Sequence, residues 1–251
     1  HLPYTTQLIP LAVIFSLKNL MKAEGKVYNE SEVNRKLSAW YWCGVLGELY
    51  HSSNETRFVN DVAGMMGWLD ETGELPDTIQ SASFRPTRLL TLKTRNSAAY
   101  KGITALILKD GARDFLTGEK VEREQFHSGQ YDIHHIFPKS YCDKENIPES
   151  LRDCIVNKTA ISSTSNKTIG GSAPSKYLKK LVCDGHVTEA EIREFVSTHK
   201  VDVSFLDNDD FHGFFISRAK SLVELVAKAM GKPVEGLDGE EVKKAFGASL
   251  A

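Results

Sequence analysis

Five polar residues in the second half of the chain have the types and the spacing of a small hydrolytic metal site. Asp132, His134 and His135 lie close together, and Asn157 and Asn166 follow downstream. A carboxylate, an imidazole and an amide oxygen can bind a divalent cation, and a second imidazole can act as a general base. Such a set of side chains has the chemistry needed to hydrolyse a phosphodiester.

The two histidines lie in a stretch that predicts a β-strand. Isoleucine and phenylalanine residues surround them, and Pro138 follows, which has no backbone N–H and stops regular pairing. Because strand side chains alternate, Asp132 and His134 share one face and His135 points to the other. Both histidines can reach one site only if the strand ends or bends before Pro138.

The residues after this strand predict a second strand and a short helix. Residues 155–161 are mostly apolar and β-branched, and residues 162–165 are rich in types that cap helix N-termini. Asn166 then falls in the first turn of a helix that ends at Gly170-Gly171. The expected order is strand, loop, strand and helix, with a metal held between the first strand and the helix.

This pattern resembles the HNH, or ββα-metal, nuclease superfamily over Tyr131 to about Leu181. It is similar to the HNH nuclease of CRISPR effector proteins and to the C-terminal nuclease part of GmrSD-like modification-dependent restriction proteins. The stretch Leu37–Trp42 also resembles the region that precedes the nuclease in the latter group. The residues that carry the nuclease resemblance are Asp132-x-His134-His135-Ile136-x-Pro138, Asn157-Lys158, Asn166-Lys167 and Pro174-Ser175.

The resemblance implies a role for each polar residue. His134 and Asn166 would bind one divalent cation, with Asp132 as a third ligand on the same strand face. His135 would be the general base that activates water. Asn157 would bond to the backbone between the strands and fix the orientation of His135. The products would carry 5′-phosphate and 3′-hydroxyl ends.

The metal expected at this site is Mg²⁺, Mn²⁺ or Ni²⁺. The chain departs from the family in having His134 where an aspartate is common. Mg²⁺ prefers oxygen ligands, so an imidazole shifts the preference toward Mn²⁺ or Ni²⁺. Three lysines near the polar residues, Lys139, Lys158 and Lys167, are candidate contacts to the phosphates of DNA.

These features predict a DNA endonuclease of a bacterial restriction or antiviral defence system. The alternatives are a catalytically silent DNA-binding module, an RNase and a structural metalloprotein. In the resembling restriction proteins a nucleotide-using sensor domain precedes the nuclease. The chain begins with His1 rather than Met, so we expect it to be a fragment or a processed form that lacks this domain. Double-strand cleavage by a single-site enzyme would need two visits or a homodimer.

The composition is that of a soluble globular protein without a membrane span. Of the 251 residues, 41% are hydrophobic and 25% are charged, and the net charge of −2 argues weakly against a protein that coats DNA. The four cysteines form no CxxC pair, so a structural zinc site is not expected. We expect reduced thiols and a cytoplasmic protein.

The rest of the chain predicts a mostly helical scaffold, giving a mostly α protein with a small embedded ββα-metal (HNH) motif, an α+β class. We expect a helical domain over residues 1–110, the nuclease module over 111–182 and a helical segment over 183–251. Residues 5–21 are apolar almost all round, which predicts a buried helix. A second helix is expected from Ser31 to about Tyr50, and a third begins after a cap at Ser53 or Asn54. Further helices are expected over 89–109, 175–182, 211–230 and 240–250, and a capping box at Thr188 and Glu191 begins another. A hairpin is expected over 112–121. His127 is expected on the surface.

Overall fold

The computed structural model describes residues 2–51, 55–121, 131–185 and 187–251. The predicted cap at Ser53 or Asn54 and the predicted surface position of His127 lie outside these residues. The described chain is mostly helical with a small two-stranded antiparallel sheet, which confirms the α+β class. Among the described residues, no helix has both the length and the apolar composition needed to cross a membrane.

Six helices precede the sheet in the described part of the chain. They are α1 (Leu8–Ala23), α2 (Glu30–Leu46), α3 (Glu55–Leu69), α4 (Asp77–Ser81), α5 (Arg88–Thr91) and α6 (Ala98–Lys109).

The sheet and the remaining helices follow. They are β1 (Tyr131–His135), α7 (Lys139–Lys144), α8 (Glu149–Arg152), a 3-10 turn (Ile155–Asn157), β2 (Lys158–Ser162), α9 (Ser163–Ile169), α10 (Pro174–Gly185), α11 (Glu189–Ser197), α12 (Val203–Asp207), α13 (Phe211–Met230) and α14 (Glu240–Phe246). The capping box at Thr188 and Glu191 is present, and the long helix has the predicted bounds.

The chain divides into two compact units. The first comprises His1–Arg85, Arg95–Gly102 and Val226–Glu235, and the second comprises Pro86–Thr94, Ile103–Leu225 and Gly236–Ala251. The three-part division with boundaries at residues 110 and 182 remains a prediction, because compactness does not test which segments fold alone.

The first unit has a buried core around α2, with a polar network inside it. Trp40 is fully buried and packs edge-on against Tyr50. The buried carboxylate of Asp61 on α3 accepts hydrogen bonds from the Tyr50 hydroxyl, the Thr78 hydroxyl at 2.6 Å and the Thr78 N–H at 3.2 Å. Asp61 therefore satisfies a donor in the first turn of α4, which has no capping side chain of its own.

The helix predicted to be buried, now α1, is exposed along one face, so that prediction was wrong. Only Pro10, Ile14 and Lys18 are buried, and Leu20 is 61% exposed. An apolar residue at almost every helical position does not say how many sides of the helix are covered, and here α1 packs mainly on α3. The other exposed apolar side chains of α1 are Leu8, Ile9, Val13, Phe15 and Leu17.

Predictions for other helices need correction at their boundaries. The second helix begins at Glu30 because the Asn29 side chain, not Ser31, accepts hydrogen bonds from the first turn. The helix predicted over 89–109 is two helices, α5 and α6. The Ser97 hydroxyl accepts the Tyr100 N–H at 3.3 Å, and this capping bond starts α6 afresh.

In the second unit, β1 and β2 pair antiparallel with His134 opposite Thr159 and His135 opposite Lys158. The predicted hairpin before the sheet is reduced to one isolated bridge between Arg113 and Lys120. β2 starts at Lys158 rather than at residue 155, because residues 155–157 form a 3-10 turn.

The turn that precedes β2 is held by a buried arginine on the long helix α13. Nη1 of Arg218 donates to the carbonyls of Ile155, Val156 and Lys158 at 3.0, 2.6 and 3.0 Å. Its Nε donates to the carbonyl of His199 at 3.1 Å. These bonds fix the backbone of the connection between the two strands. That backbone in turn positions the residues that face the site.

Candidate functional site

Three of the predicted site residues converge between β1 and α9. Nδ1 of His134 lies 2.9 Å from Oδ1 of Asn166, and Nδ2 of Asn166 donates to Oδ2 of Asp132 at 3.1 Å. Asp132 and His134 share one face of β1, as strand alternation predicts. The amide of Asn166 thus bridges an imidazole and a carboxylate that belong to another element.

The position of Asn166 follows from how α9 begins and ends. The Ser162 hydroxyl accepts the Ser165 N–H at 3.1 Å and caps the helix, and Gly170, at φ 60°, ends it. Asn166 lies in the first turn, with its side chain directed toward β1. These bounds confirm the short helix predicted from the cap residues and the glycine pair.

A buried carboxylate that the sequence did not reveal locks this junction. Asp114 accepts the Ser162 N–H at 2.7 Å and the Ser165 hydroxyl at 2.6 Å, and it also accepts the N–H groups of Leu116 and Thr117. Burial raises its pKa, but these hydrogen bonds outweigh burial and hold the pKa below its usual value. Asp114 therefore ties the segment before β1 to the start of α9.

His134 is buried against two aromatic rings. It is 3% exposed and makes edge-on contacts with Phe115 and Tyr177. Burial lowers its pKa to about 4, with the hydrogen bond that the ring donates to Oδ1 of Asn166 acting in the opposite direction. The ring is therefore neutral at pH 7, and its Nε2 is buried with no hydrogen-bond partner in the described residues.

The residues that could hold a divalent cation are His134 and Asn166, with Asp132 at the amide nitrogen of Asn166. The 2.9 Å between His134 Nδ1 and Asn166 Oδ1 is close to the roughly 3 Å that separates neighbouring ligands of an octahedral ion with bonds of about 2.1 Å. A neutral imidazole, an amide oxygen and a carboxylate are all metal ligands. Within the described chain no three His, Cys, Asp or Glu side chains form such a group, so the amide of Asn166 would be essential to this set.

His135 makes a different set of contacts. Its Nε2 lies 2.8 Å from Oδ1 of Asp153, and both side chains are mostly buried. Burial lowers the pKa of His135, the hydrogen bond with Asp153 raises it, and the charges of Lys158 and Lys139 lower it again. His135 is near enough to His134 for its charge, when protonated, to lower the pKa of His134.

Asn157 is fully buried and bonds to backbone on both sides of the connection between the strands. Its Nδ2 donates to the carbonyls of Phe137 and Arg152 at 2.9 and 3.0 Å, and its Oδ1 accepts the Phe137 N–H at 2.8 Å. The side chain therefore fixes the turn that follows His135. Among the described residues, the hydrogen bonds of the Asn157 side chain go to backbone atoms and not to the His135 ring.

The three lysines proposed for phosphate contact differ in their surroundings. Lys139 is exposed, with its Nζ 3.5 Å from Oδ1 of Asp153, and Lys167 on α9 is also exposed. Lys158 is half-buried and donates from Nζ to the backbone carbonyl of Lys93 at 2.8 Å. Burial and the charge of Lys139 lower the pKa of Lys158, with Asp153 acting in the opposite direction.

Sequence reasoning missed Asp153, which contacts His135, and Asp114, which holds the start of α9. Asp153 lies in the connection between the strands, and an acid next to an arginine there is a weak signal that gains meaning only from the fold. Asp114 lies well before the paired histidines, and no spacing rule connects it to Ser162 and Ser165.

Comparison with known proteins finds a distant similarity. No protein-family model matches the chain. A protein of Methanocaldococcus jannaschii that is described only as uncharacterized is 28% identical over 151 residues, which cover 59% of this chain. The aligned region spans 25% of the length of that relative.

Proposed function

We propose that this chain is a metal-dependent DNA endonuclease of the HNH type that hydrolyses phosphodiesters with His135 as general base. The observation that carries the proposal is the convergence of Asp132, His134 and Asn166 at hydrogen-bond distance beside a second histidine. The order of β1, β2 and α9 is that of the ββα-metal motif, which supports the same reading.

Each residue has one role in this proposal. His134 and Asn166 hold the cation, with Asp132 as third ligand, and His135 takes the proton of the attacking water. A cation held there would supply positive charge to offset the charge on the scissile phosphate and on the leaving oxygen. Asn157 fixes the backbone after β1 and thereby the place of His135.

The basic side chains beside the site bind the nucleic acid backbone. Lys139 and Lys167 are exposed and can reach phosphates in solution. Lys158 contributes charge but is held by the carbonyl of Lys93, so it is the weakest of the three contacts. Such contacts are independent of base sequence and weaken with salt.

The biological setting rests on the resemblance to restriction proteins. We propose that the enzyme acts in the cytoplasm in restriction or antiviral defence against foreign or modified DNA. A nucleotide-using sensor domain would precede it and control cleavage. One site makes one cut, so double-strand breaks would require a second copy or a second visit.

The test is cleavage of supercoiled plasmid with Mg²⁺, Mn²⁺, Ni²⁺ or EDTA. It compares the wild type with His135→Ala and with His51→Ala, a control at an exposed histidine of the first unit. We expect metal-dependent nicking by the wild type and the control. Loss of the general base should slow cleavage by about 10²- to 10⁴-fold.

Equal cleavage by His135→Ala and the wild type would remove His135 as the base. Cleavage that persists in EDTA would contradict metal dependence. No cleavage of DNA with any metal would favour a silent DNA-binding module, and cleavage restricted to an RNA substrate in the same assay would identify an RNase.

A further inference from the structure

The carboxylate of Asp153 determines which nitrogen of His135 can carry a proton. Nε2 of His135 lies 2.8 Å from Oδ1 of Asp153, and an ionised carboxylate can only accept hydrogen bonds. Nε2 must therefore be the protonated nitrogen of the neutral ring. Nδ1 of His135 then carries the lone pair of the ring, and it makes no hydrogen bond within the part of the chain that the structure describes.

Asp153 is itself held in one orientation. Nη2 of Arg152 donates to its Oδ2 at 2.6 Å, while Oδ1 faces His135 and lies 3.5 Å from Nζ of Lys139. Burial raises the pKa of Asp153, but the hydrogen bonds from Arg152 and His135 and the charge of Lys139 hold it well below its usual value. The carboxylate is therefore ionised, with a donor on each oxygen.

The backbone around Asp153 is fixed as well. Its N–H donates to the carbonyl of Glu149 at 2.9 Å, which places Asp153 at the end of α8. The neighbouring carbonyl of Arg152 accepts Nδ2 of Asn157 at 3.0 Å. The backbone at Asp153 and the turn after His135 are thus joined through one buried asparagine, so the two backbone segments cannot shift relative to each other without breaking this bond.

We propose that Asp153 is a positioning residue, which keeps the proton of His135 on Nε2 and leaves Nδ1 as the atom that takes the proton of the attacking water. This inference rests on the proposed function. In the step, the water O–H bond breaks and the proton joins Nδ1. The electron pair of the water oxygen forms the new bond to phosphorus. The bond from phosphorus to the leaving oxygen breaks with its electron pair on that oxygen, which then takes a proton from solvent.

The test uses Asp153→Asn, which keeps the shape and removes the charge. Because Arg152 offers a donor to the Oδ2 position, the amide oxygen should face Arg152 and the amide NH₂ should face His135. Nε2 would then accept, and the proton would move to Nδ1. The full chain is labelled with ¹⁵N-histidine, and ring nitrogen shifts identify the tautomer without reference to activity.

We expect the Nε2–H form of His135 in the wild type and the Nδ1–H form in Asp153→Asn. The kcat of plasmid cleavage should fall about 10²- to 10⁴-fold, as for loss of a general base. The Mn²⁺ concentration for half-maximal rate should change less than about threefold, because the metal ligands are untouched. Asp153→Ala removes the hydrogen bond altogether. This variant should also have a lower kcat, but neither tautomer of His135 should be fixed.

The matched control is Asp143→Asn. Asp143 also contacts Arg152 but is exposed and does not contact His135, so this variant should keep both the tautomer and kcat. A wild-type Nδ1–H tautomer, or full kcat in Asp153→Asn, would overturn the proposal. A third outcome is a wild type that shows the Nε2–H form but cleaves no substrate. That result would overturn both the proposed function and the catalytic role of Nδ1, and only the conclusion that Asp153 orients the His135 ring would stand.

Discussion

Nδ1 of His134 and Oδ1 of Asn166 lie 2.9 Å apart, although 32 positions separate the two residues in the chain. One belongs to the first strand and the other to the helix that follows the second strand. The separation suits a hydrogen bond between them, and it equally suits two neighbouring ligands of one cation. The metal-centred proposal depends on this second possibility.

The nitrogen ligand leads to a prediction about metal preference. With His134 as a direct ligand, cleavage should be faster with Mn²⁺ or Ni²⁺ than with Mg²⁺ at equal concentration. His134→Asp replaces the nitrogen by an oxygen ligand and should shift the rate ratio toward Mg²⁺. Plasmid cleavage rates in the three metals measure both effects.

A wild type that is clearly fastest in Mg²⁺, or a ratio unchanged in His134→Asp, would show that His134 is not a ligand. The melting temperature of the variant must be measured alongside, because His134 packs against Phe115 and Tyr177 and the smaller side chain leaves a cavity.

Asp114 should be essential to both stability and the site. Asp114→Ala leaves the N–H of Ser162 and the hydroxyl of Ser165 buried without their acceptor, which should lower the free energy of unfolding by roughly 2–4 kcal/mol. The variant should also bind Mn²⁺ more weakly, since α9 carries Asn166. Urea unfolding and metal titration measure the two effects.

The control for Asp114 is Asp202→Ala, which removes an exposed cap of α12. Asp202 accepts the Ser204 N–H at 3.0 Å, and losing such a cap costs about 1 kcal/mol. An equal loss of stability in both variants, with unchanged Mn²⁺ binding in Asp114→Ala, would contradict the role given to Asp114.

The sequence predicted the strand, turn, strand and helix of the site because its signals are local. Pro138 ends a strand and Gly170 ends a helix whatever surrounds them. The pairing of His135 with Asp153 could not be predicted, since it depends on how the connection between the strands folds back. Asn157 determines that fold through three backbone hydrogen bonds that leave no periodic trace.

The helix α1 shows a second limit of sequence reasoning. Its apolar residues predict helical structure correctly, but hydrophobicity alone does not show which faces are covered in the folded chain. Ile9 and Leu20 are more than half exposed, whereas Lys18 is buried and paired with Glu30. The long stem of a lysine can be buried while its charge meets a carboxylate, and composition does not foresee that.

Arg218 should tolerate no conservative replacement. Its planar guanidinium is fully buried and donates hydrogen bonds to four backbone carbonyls. A lysine ammonium cannot make the same four hydrogen bonds. Arg218→Lys should lower the free energy of unfolding by roughly 2–4 kcal/mol. Urea unfolding measures the change.

The control for Arg218 is Arg193→Lys, at a partly exposed pair with Glu189 and Asp207, which should cost less than about 1 kcal/mol. If the two variants lose the same stability, the carbonyl contacts of Arg218 do not hold the turn before β2.

Stability should fall with acid because of His199. This ring is buried between the Thr159 hydroxyl at 2.5 Å and the carbonyl of Arg113 at 2.7 Å. Burial lowers its pKa from 6.5 to about 4. Between these values the unfolded chain binds a proton that the folded chain does not, so stability is lost as pH falls, by about 1.4 kcal/mol per pH unit for each such residue.

Urea unfolding in EDTA at pH 7, 6 and 5 tests this prediction. His134 titrates in the same direction, so the wild type should show the combined slope of two histidines. In His199→Gln, the slope of the unfolding free energy against pH should be smaller below pH 6 by the contribution of one proton. A variant with the wild-type slope would show that His199 does not carry the effect.

Direct binding of Mn²⁺, followed by electron paramagnetic resonance without nucleic acid, tests the central claim most directly. The samples are the wild type, Asn166→Ala and the control Asn208→Ala. Asn208 is an exposed residue at the C-terminal end of α12. We expect one tight Mn²⁺ per chain in the wild type and the control, and binding weakened about tenfold or more in Asn166→Ala. A wild type that binds no Mn²⁺, or an Asn166→Ala variant that binds it unchanged, would contradict a metal centre between β1 and α9.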